Sequence, residues 1–353
     1  MAAVCDLISA GIIEKDRNGD VLWTWSYPSA SQEQREMLLD KCGLSSGSLQ
    51  PLRFIYYQWQ QKWYYLLHTD IDGQAALPKV TNVSLVLVTR DFNPEKYERL
   101  CEILTKLYRE KGSPSAMLEA YMGVVTRGVW ATDDNGKFSV KDFGNRKAYA
   151  KSSVKNVIQT LGLEAILLYT ALMLKKRVAI YFPPHSLADL LEFTRSLPAL
   201  VWHRQNWSVV YPHVSLATSE LEGLKSVSHY VAGFTEAEVE GRPDLYDVFV
   251  NGPAGQVTVA SHAKDALAMG KLHKDIALLM VQGAESADTT DEDMIKEVAG
   301  KTKELLNNLR SLASDEGGGR LTLSLDTLKQ RKMPPATENF LFSLAACEGL
   351  VKF

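Results

Sequence analysis

The chain is short of several things, and each shortage closes a class of function. Of its 353 residues only four are cysteines: Cys5, Cys42, Cys101 and Cys347, far apart and with no CxxC pair. That spacing builds neither a disulfide framework nor a zinc site and reads as the reduced thiols of a cytoplasmic protein. An excess of one charge is also lacking, since 39 Lys and Arg face 42 Asp and Glu for a net of -3. A nucleic-acid binder or a polybasic membrane anchor would carry a basic field, so neither partner is expected. The longest uncharged apolar run, residues 165–174, is about half of the roughly 20 residues that span hydrocarbon, so no transmembrane segment is expected. Residues 1–13 carry no Lys or Arg, unlike the basic start of a secretory leader. The sequons at Asn82 and Asn206 are then chance matches.

Signatures of covalent chemistry are missing as well. Gly300-Lys301-Thr302 ends like a phosphate-binding loop, but Ile295 holds the position of the upstream glycine and the surroundings are helical in pattern. Asp16-x-Asn18-Gly19-Asp20 has its glycine at the wrong place for a calcium loop and reads as a hairpin turn. The seven histidines form no HExxH, and no GxSxG elbow is present. Ser152-x-x-Lys155 matches a pattern too short to exclude chance. No catalytic residue, cofactor or metal follows from the letters.

What is present is ordinary globular material: 46% hydrophobic and 23% charged residues, long enough for two domains. Residues 4–14 and 21–27 predict two strands joined by the Asn18-Gly19 turn. Ser31 with Gln34 starts a helix as a capping box. Aromatic strands at 52–59 and 63–68 and a β-branched strand at 80–89 follow. Asn93-Pro94 and Ser113-Pro114 then open two helices. Hairpin-linked strands followed by helices predict an antiparallel sheet clothed by helices, an α+β lobe over residues 1–131.

The polar stretch 132–145 reads as a linker. Beyond it, helices at about 146–160 and 163–174 precede a short apolar strand at 177–182 and a helix at 187–197. Further apolar strands at 207–211, 230–234, 246–250 and 256–260 predict an α/β lobe, 146–261, whose sheet is buried on both faces. Residues 262–353 predict helices at 263–282, 292–312 and 338–349.

Two patches stand out for binding. Lys175-Lys176-Arg177 lies between an apolar helix and an apolar strand, where cations either meet an acidic partner or complement a helix end. Trp202-His203-Arg204-Gln205-Asn206-Trp207 gathers indoles, a guanidinium and amides, the side chains that dominate protein interfaces; alternatively the indoles complete the core.

Taken in order, several segments resemble a known family. Leu172-Met173-Leu174-Lys175-Lys176-Arg177-Val178-Ala179-Ile180-Tyr181 is similar to the helix-into-strand segment that opens the central part of a DENN domain. Leu197-Pro198-Ala199-Leu200-Val201-Trp202, Val209-Val210-Tyr211-Pro212 and Tyr230-Val231-Ala232-Gly233-Phe234 resemble its next landmarks. Tyr246-Asp247-Val248-Phe249-Val250-Asn251 and Gln256-Val257-Thr258-Val259 resemble the paired strands beyond. The likeness covers nearly the whole chain and implies a bilobal fold: a longin-like upstream lobe, a central α/β lobe and downstream helices. It also implies guanine nucleotide exchange on Rab GTPases, with the Rab held in the cleft between lobes and Trp202, Arg204, Asn206, Asp247, Asn251 and the Lys175-Lys176-Arg177 cluster as candidate contacts. Arg204 and Asn206 are expected to be replaceable with little loss of stability. The phrases Arg90-Asp91-Phe92-Asn93-Pro94-Glu95-Lys96-Tyr97 and Pro334-Pro335-Ala336-Thr337-Glu338-Asn339-Phe340-Leu341 resemble a short member of the family. Such members imply work at late endosomes and docking on coiled-coil subunits of the endosomal sorting assembly Commander. The pattern departs from the family at Phe249-Val250-Asn251, where Asp-x-Asp is common, and at Ser228-His229.

Overall fold

The computed structural model describes residues 6–45, 52–71, 73–132, 136–144, 147–148, 151–315 and 321–351. Cys5, the acidic head Asp133-Asp134-Asn135 of the expected linker, residues 316–320 of a polar break and Lys352-Phe353 lie outside the described residues. The chain divides into two compact units, Met1–Ala148 and Tyr149–Phe353.

In the first unit, β1 (Leu7–Asp16) turns into β2 (Val21–Tyr27). Asp16 Oδ1 fixes the turn by accepting from the backbone N–H of Asn18 at 2.8 Å and of Asp20 at 2.9 Å, the local bonding that makes Asp and Asn turn residues. Ser31 caps α1 (Gln32–Lys41), accepting from the Gln34 N–H at 3.2 Å. Gln60 and Gln61, both left-handed with φ of 48 and 60°, join β3 (Phe54–Trp59) to β4 (Lys62–Asp70) in a turn of the primed kind that matches strand twist. β5 (Val80–Thr89) completes an antiparallel sheet of order β2-β1-β5-β4-β3. Asn93 caps α2 (Pro94–Lys111), and Ser113 caps α3 (Pro114–Arg127). The Tyr97 ring of α2 lies 4.7 Å from that of Tyr65 on β4, so α2 clothes one sheet face with aromatic contact area. This is the α+β lobe the sequence predicts.

The stretch expected as a linker is structured where it is described. β6 (Val129–Thr132) pairs with β7 (Gly136–Ser139), and Phe138 is buried and stacked on Phe143 with centroids 5.6 Å apart. Polar composition concealed a hairpin whose single buried aromatic anchors it.

One buried group makes this unit sensitive to acid. His68 on β4 sits opposite Ser84 on β5. It is 8% exposed, and neither ring nitrogen has a hydrogen-bond partner among the described residues. Burial lowers its pKa from 6.5 to about 4. The folded state therefore binds fewer protons than the unfolded chain below pH 6.5. The neutral ring's contribution is fully present above that pH and is lost as pH falls toward 4. The loss is about 2 kcal/mol at pH 5. Urea melts of His68→Leu are expected to show a flatter acid limb than the parent between pH 7 and 4.5. Parallel curves would refute the assignment.

The second unit begins with α4 (Val154–Leu161), a tight turn at Gly162–Glu164 and α5 (Ala165–Met173). Every residue of α5 except Leu167 is buried, as its unbroken apolar run requires. The span Val154–Met173 has the length and hydropathy to cross a membrane, but 61% of its most apolar window is buried inside the protein, so it serves as core. Then come β8 (Val178–Tyr181), α6 (Leu187–Ser196), β9 (Val210–Val214), α7 (Thr218–Lys225), β10 (Val231–Phe234), β11 (Val248–Asn251) and β12 (Gln256–Val259). The sheet order is β12-β11-β8-β10-β9, with β8, β9, β10 and β11 parallel and β12 antiparallel at the edge. Alternate residues serve opposite faces: Val178, Ile180, Val248 and Val250 join one core, while Ala179, Ala232, Phe234 and Phe249 join another. Burial on both faces is why these strands read as continuous apolar runs.

The larger core continues through α8 (Lys271–Glu285), α9 (Asp291–Leu312), α10 (Leu325–Gln330) and α11 (Pro335–Cys347), from Val154 to Ala345. Gly300-Lys301-Thr302 lies within α9, with Thr302 buried and bonded to the Tyr169 hydroxyl at 2.8 Å. Some expected boundaries shift. The helix predicted from 263 begins at Lys271, after a short turn at Ser261–Ala263, and the strand predicted at 207–211 forms at Val210–Val214. Of the helix predicted at about 146–160, residues 147–148 and Val154–Leu161 are helical, while 146, 149 and 150 lie outside the described residues. The short helices α7 and α10 have no counterpart in the sequence reading.

Candidate interaction site at the amino edge of the parallel sheet

Parallel strands align their amino ends, so the segments that precede them collect along one edge. Lys175-Lys176-Arg177 leads into β8, Arg204-Gln205-Asn206 into β9, His229-Tyr230 into β10 and Asp247 into β11. Of the candidate contacts, Asn251 alone sits at the opposite end, at the close of β11, where its Oδ1 accepts from the Ala254 N–H at 3.2 Å and shapes the turn to β12.

Part of this edge is closed internally. The Asp247 carboxylate accepts from the Arg177 backbone N–H at 2.8 Å and from its guanidinium at 3.1 and 3.4 Å, and meets His262 Nε2 at 2.9 Å. Arg177 Nη1 also donates to the Asp244 carbonyl at 2.7 Å. Burial alone would raise the Asp247 pKa, but hydrogen bonds from Arg177 and His262 outweigh it and hold the carboxyl below its usual range. Arg177 and Asp247 thus tie the starts of β8 and β11 together, a fastening role for two residues proposed as contacts.

Arg204 is fastened more tightly still. Its Nη1 and Nη2 donate to the Leu172 and Met173 carbonyls at the end of α5, each at 2.7 Å. These are among the carbonyls that a helix leaves unsatisfied at its C-terminus. The Arg204 Nε also donates to Glu348 Oε1 at 3.1 Å, and Nη2 pairs with the same carboxylate. Burial would raise the Glu348 pKa, yet hydrogen bonds from His203 and Arg204 bring it down to about 2. The expectation that Arg204 is dispensable for stability is corrected: it clamps α5 to the end of α11. Trp202 is half-buried against the larger core, which is the packing alternative for this indole.

The remaining residues surround an open cleft of about 450 Å³. Its apolar floor includes Leu172, Pro198, Val201, Val209 and Val231, and its polar wall is made of Lys175, Lys176, Arg204, Gln205, Asn206 and His229. Among the described residues no carboxylate lines it. Lys175 stands at the left-handed position that ends α5, with φ of 50°. The Lys176 N–H reaches the Ala171 carbonyl at 2.9 Å and the Lys175 N–H that of Leu172 at 3.2 Å, the paired bonds of a Schellman cap. Lys175 Nζ donates to the Cys347 carbonyl at 2.8 Å. The Lys176 ammonium has no hydrogen-bond or ion-pair partner among the described residues. Asn206 is exposed, and its Oδ1 accepts from the Ser208 N–H at 2.9 Å and hydroxyl at 2.7 Å. His229 is half-buried; burial, then the charges of Lys175 and Arg204, lower its pKa.

Lys175, Lys176, Arg204 and Asn206 are expected contacts and Gln205 belongs to the patch around them, whereas Tyr230 is expected only as part of a strand and His229 only as a departure from the family pattern. The signal that could have found His229 and Tyr230 is positional: both precede a strand of the parallel sheet. Among the described residues no group of three or more His, Cys, Asp or Glu is placed to hold a metal ion.

Comparison with known proteins agrees with this topology. Residues 151–261, which carry the whole parallel sheet, match the family described as "SPA: Stabilization of polarity axis". Proteins called DENN domain-containing protein 10 are similar over nearly their full length. The Danio rerio protein is 49% identical over 346 residues, 98% of each chain. The Homo sapiens protein is 45% identical over 347 residues, 98% of this chain and 97% of its own. That of Dictyostelium discoideum is 35% identical over 358 residues, 97% of each. Identity at that level along both units, with the resembling segments in register on β8 to β12, means that the chain belongs to the DENN domain family, beside the proteins called DENN domain-containing protein 10.

Proposed function

We propose that this chain is a guanine nucleotide exchange factor for Rab GTPases, working from the cytoplasm at the surface of late endosomes. Its near full-length relatedness to DENN proteins carries the reading. Exchange of this kind needs no covalent step from the factor. It binds the nucleotide-free GTPase better than the GDP-bound form, and the difference lowers the barrier to GDP release. A thousandfold faster release needs about 4 kcal/mol of differential binding, within reach of a few interface side chains.

With purified full-length chain and a panel of GDP-loaded Rabs, at least one Rab is expected to release GDP on the order of a hundredfold or more above its intrinsic rate. Intrinsic rates across the whole panel would refute exchange.

A second reading has one observation in its favour. Arg177, Arg204 and Asp247 direct their polar atoms inward, which leaves fewer charged groups to pry a GTPase open. In that reading the body docks on coiled-coil subunits of an endosomal sorting assembly, Commander, without exchange. Co-purification with such a complex in the absence of any accelerated release would favour it.

A further inference from the structure

We propose that the cleft at the amino edge of the parallel sheet is a binding site for a phosphate monoester, whether as a soluble molecule or as a lipid headgroup. The site stands apart from the exchange reading. Its wall carries three cationic side chains, Lys175, Lys176 and Arg204, with no carboxylate among the lining residues. Glu348 neutralises Arg204 from behind, so among the described residues the ammonium groups of Lys175 and Lys176 are the uncompensated charge. Two such groups match a phosphate monoester dianion better than a single carboxylate, because charge-assisted bonds to phosphate oxygens are the strong ones.

Division of labour among the cations supports the assignment. Arg204 is fixed by four internal bonds, and Lys175 holds one carbonyl, whereas Lys176 is free to turn toward a ligand. His229 offers a ring nitrogen, Nε2, for which no partner is found among the described residues, and its Nδ1 lies 3.1 Å from the Ser228 hydroxyl. Gln205 and Asn206 add amide donors on the same wall. Gln205, left-handed with φ of 44°, also lines the cleft. The apolar floor then accepts the body of the ester, and about 450 Å³ falls in the range of small-molecule sites.

The test uses two probes at fixed ionic strength. Calorimetric titration of the full-length chain with phenyl phosphate reads the soluble source. Sedimentation with phosphatidylcholine vesicles, with and without phosphatidylinositol 4-phosphate, reads the headgroup. Saturable binding to either probe is expected. Lys176→Gln should weaken it about tenfold without moving the melting temperature, since that ammonium has no partner among the described residues. Lys301→Gln, on the exposed face of α9 and paired with Glu304, should leave it unchanged. Failure to bind both probes, or equal weakening in the two lysine variants, would overturn the site.

Discussion

Gly233→Ala is expected to destabilise the second unit by about 3 kcal/mol, the upper end of the usual overpacking cost. Gly233 lies in β10, between β8 and β9. A Cβ there would stand 2.2 Å from the Pro212 carbonyl oxygen and 2.9 Å from Leu190 Cδ1. The leucine end can swing away, but the carbonyl belongs to β9 and cannot move without parting the strands. Between Ala232 and Phe234 the β9–β10 pairing already shifts register, so the close approach is part of how the two strands fit. Gly223 in α7 is the control. Nothing lies within 4 Å of its added Cβ, and alanine should stabilise there by about 0.5–1 kcal/mol. Urea melts of the two variants are therefore expected to move in opposite directions. Equal shifts would mean that the pairing does not need the missing side chain.

Arg204→Ala is the second large effect, about 3 kcal/mol. Arg204 and Glu348 are each 17% exposed at the side chain, so removing the guanidinium strands a largely desolvated carboxylate and two helix-end carbonyls at once. For a unit of this size the loss lowers the melting temperature by roughly 6–12 °C. Arg204→Lys should recover only part of it, because an ammonium cannot reach both carbonyls and the carboxylate in one plane. A double-mutant cycle with Glu348→Gln should return a coupling of about 1–2 kcal/mol. A coupling near zero would show that Arg204 acts through α5 alone.

Arg204 also shows what the sequence could and could not disclose. Its Glu348 partner is 144 positions away, and no local pattern announces such a pair. The guanidinium among tryptophans looked like an interface residue because composition cannot tell an inward from an outward side chain. Local chemistry was legible throughout the first unit. The Asp16 turn, the Ser31 cap and the Asn93-Pro94 helix start depend on neighbours within about four residues, and each forms where the letters place it. The α/β character of the second unit was legible for a different reason: strands buried on both faces must be apolar throughout. What failed was the start of α8. Apolar residues continue upstream of Lys271, and only tertiary packing decides where the helix begins. α7 escaped notice because it buries just Leu221 and Leu224, too few to set a period.

The central claim is that this protein works by holding one state of a GTPase more tightly than another. The direct measurement is its affinity for a single responsive Rab, stripped of nucleotide and then loaded with GDP. The account predicts binding at least about a hundredfold tighter to the nucleotide-free form, because a binder indifferent to the two states shifts no equilibrium between them. Equal affinity for both forms would contradict it.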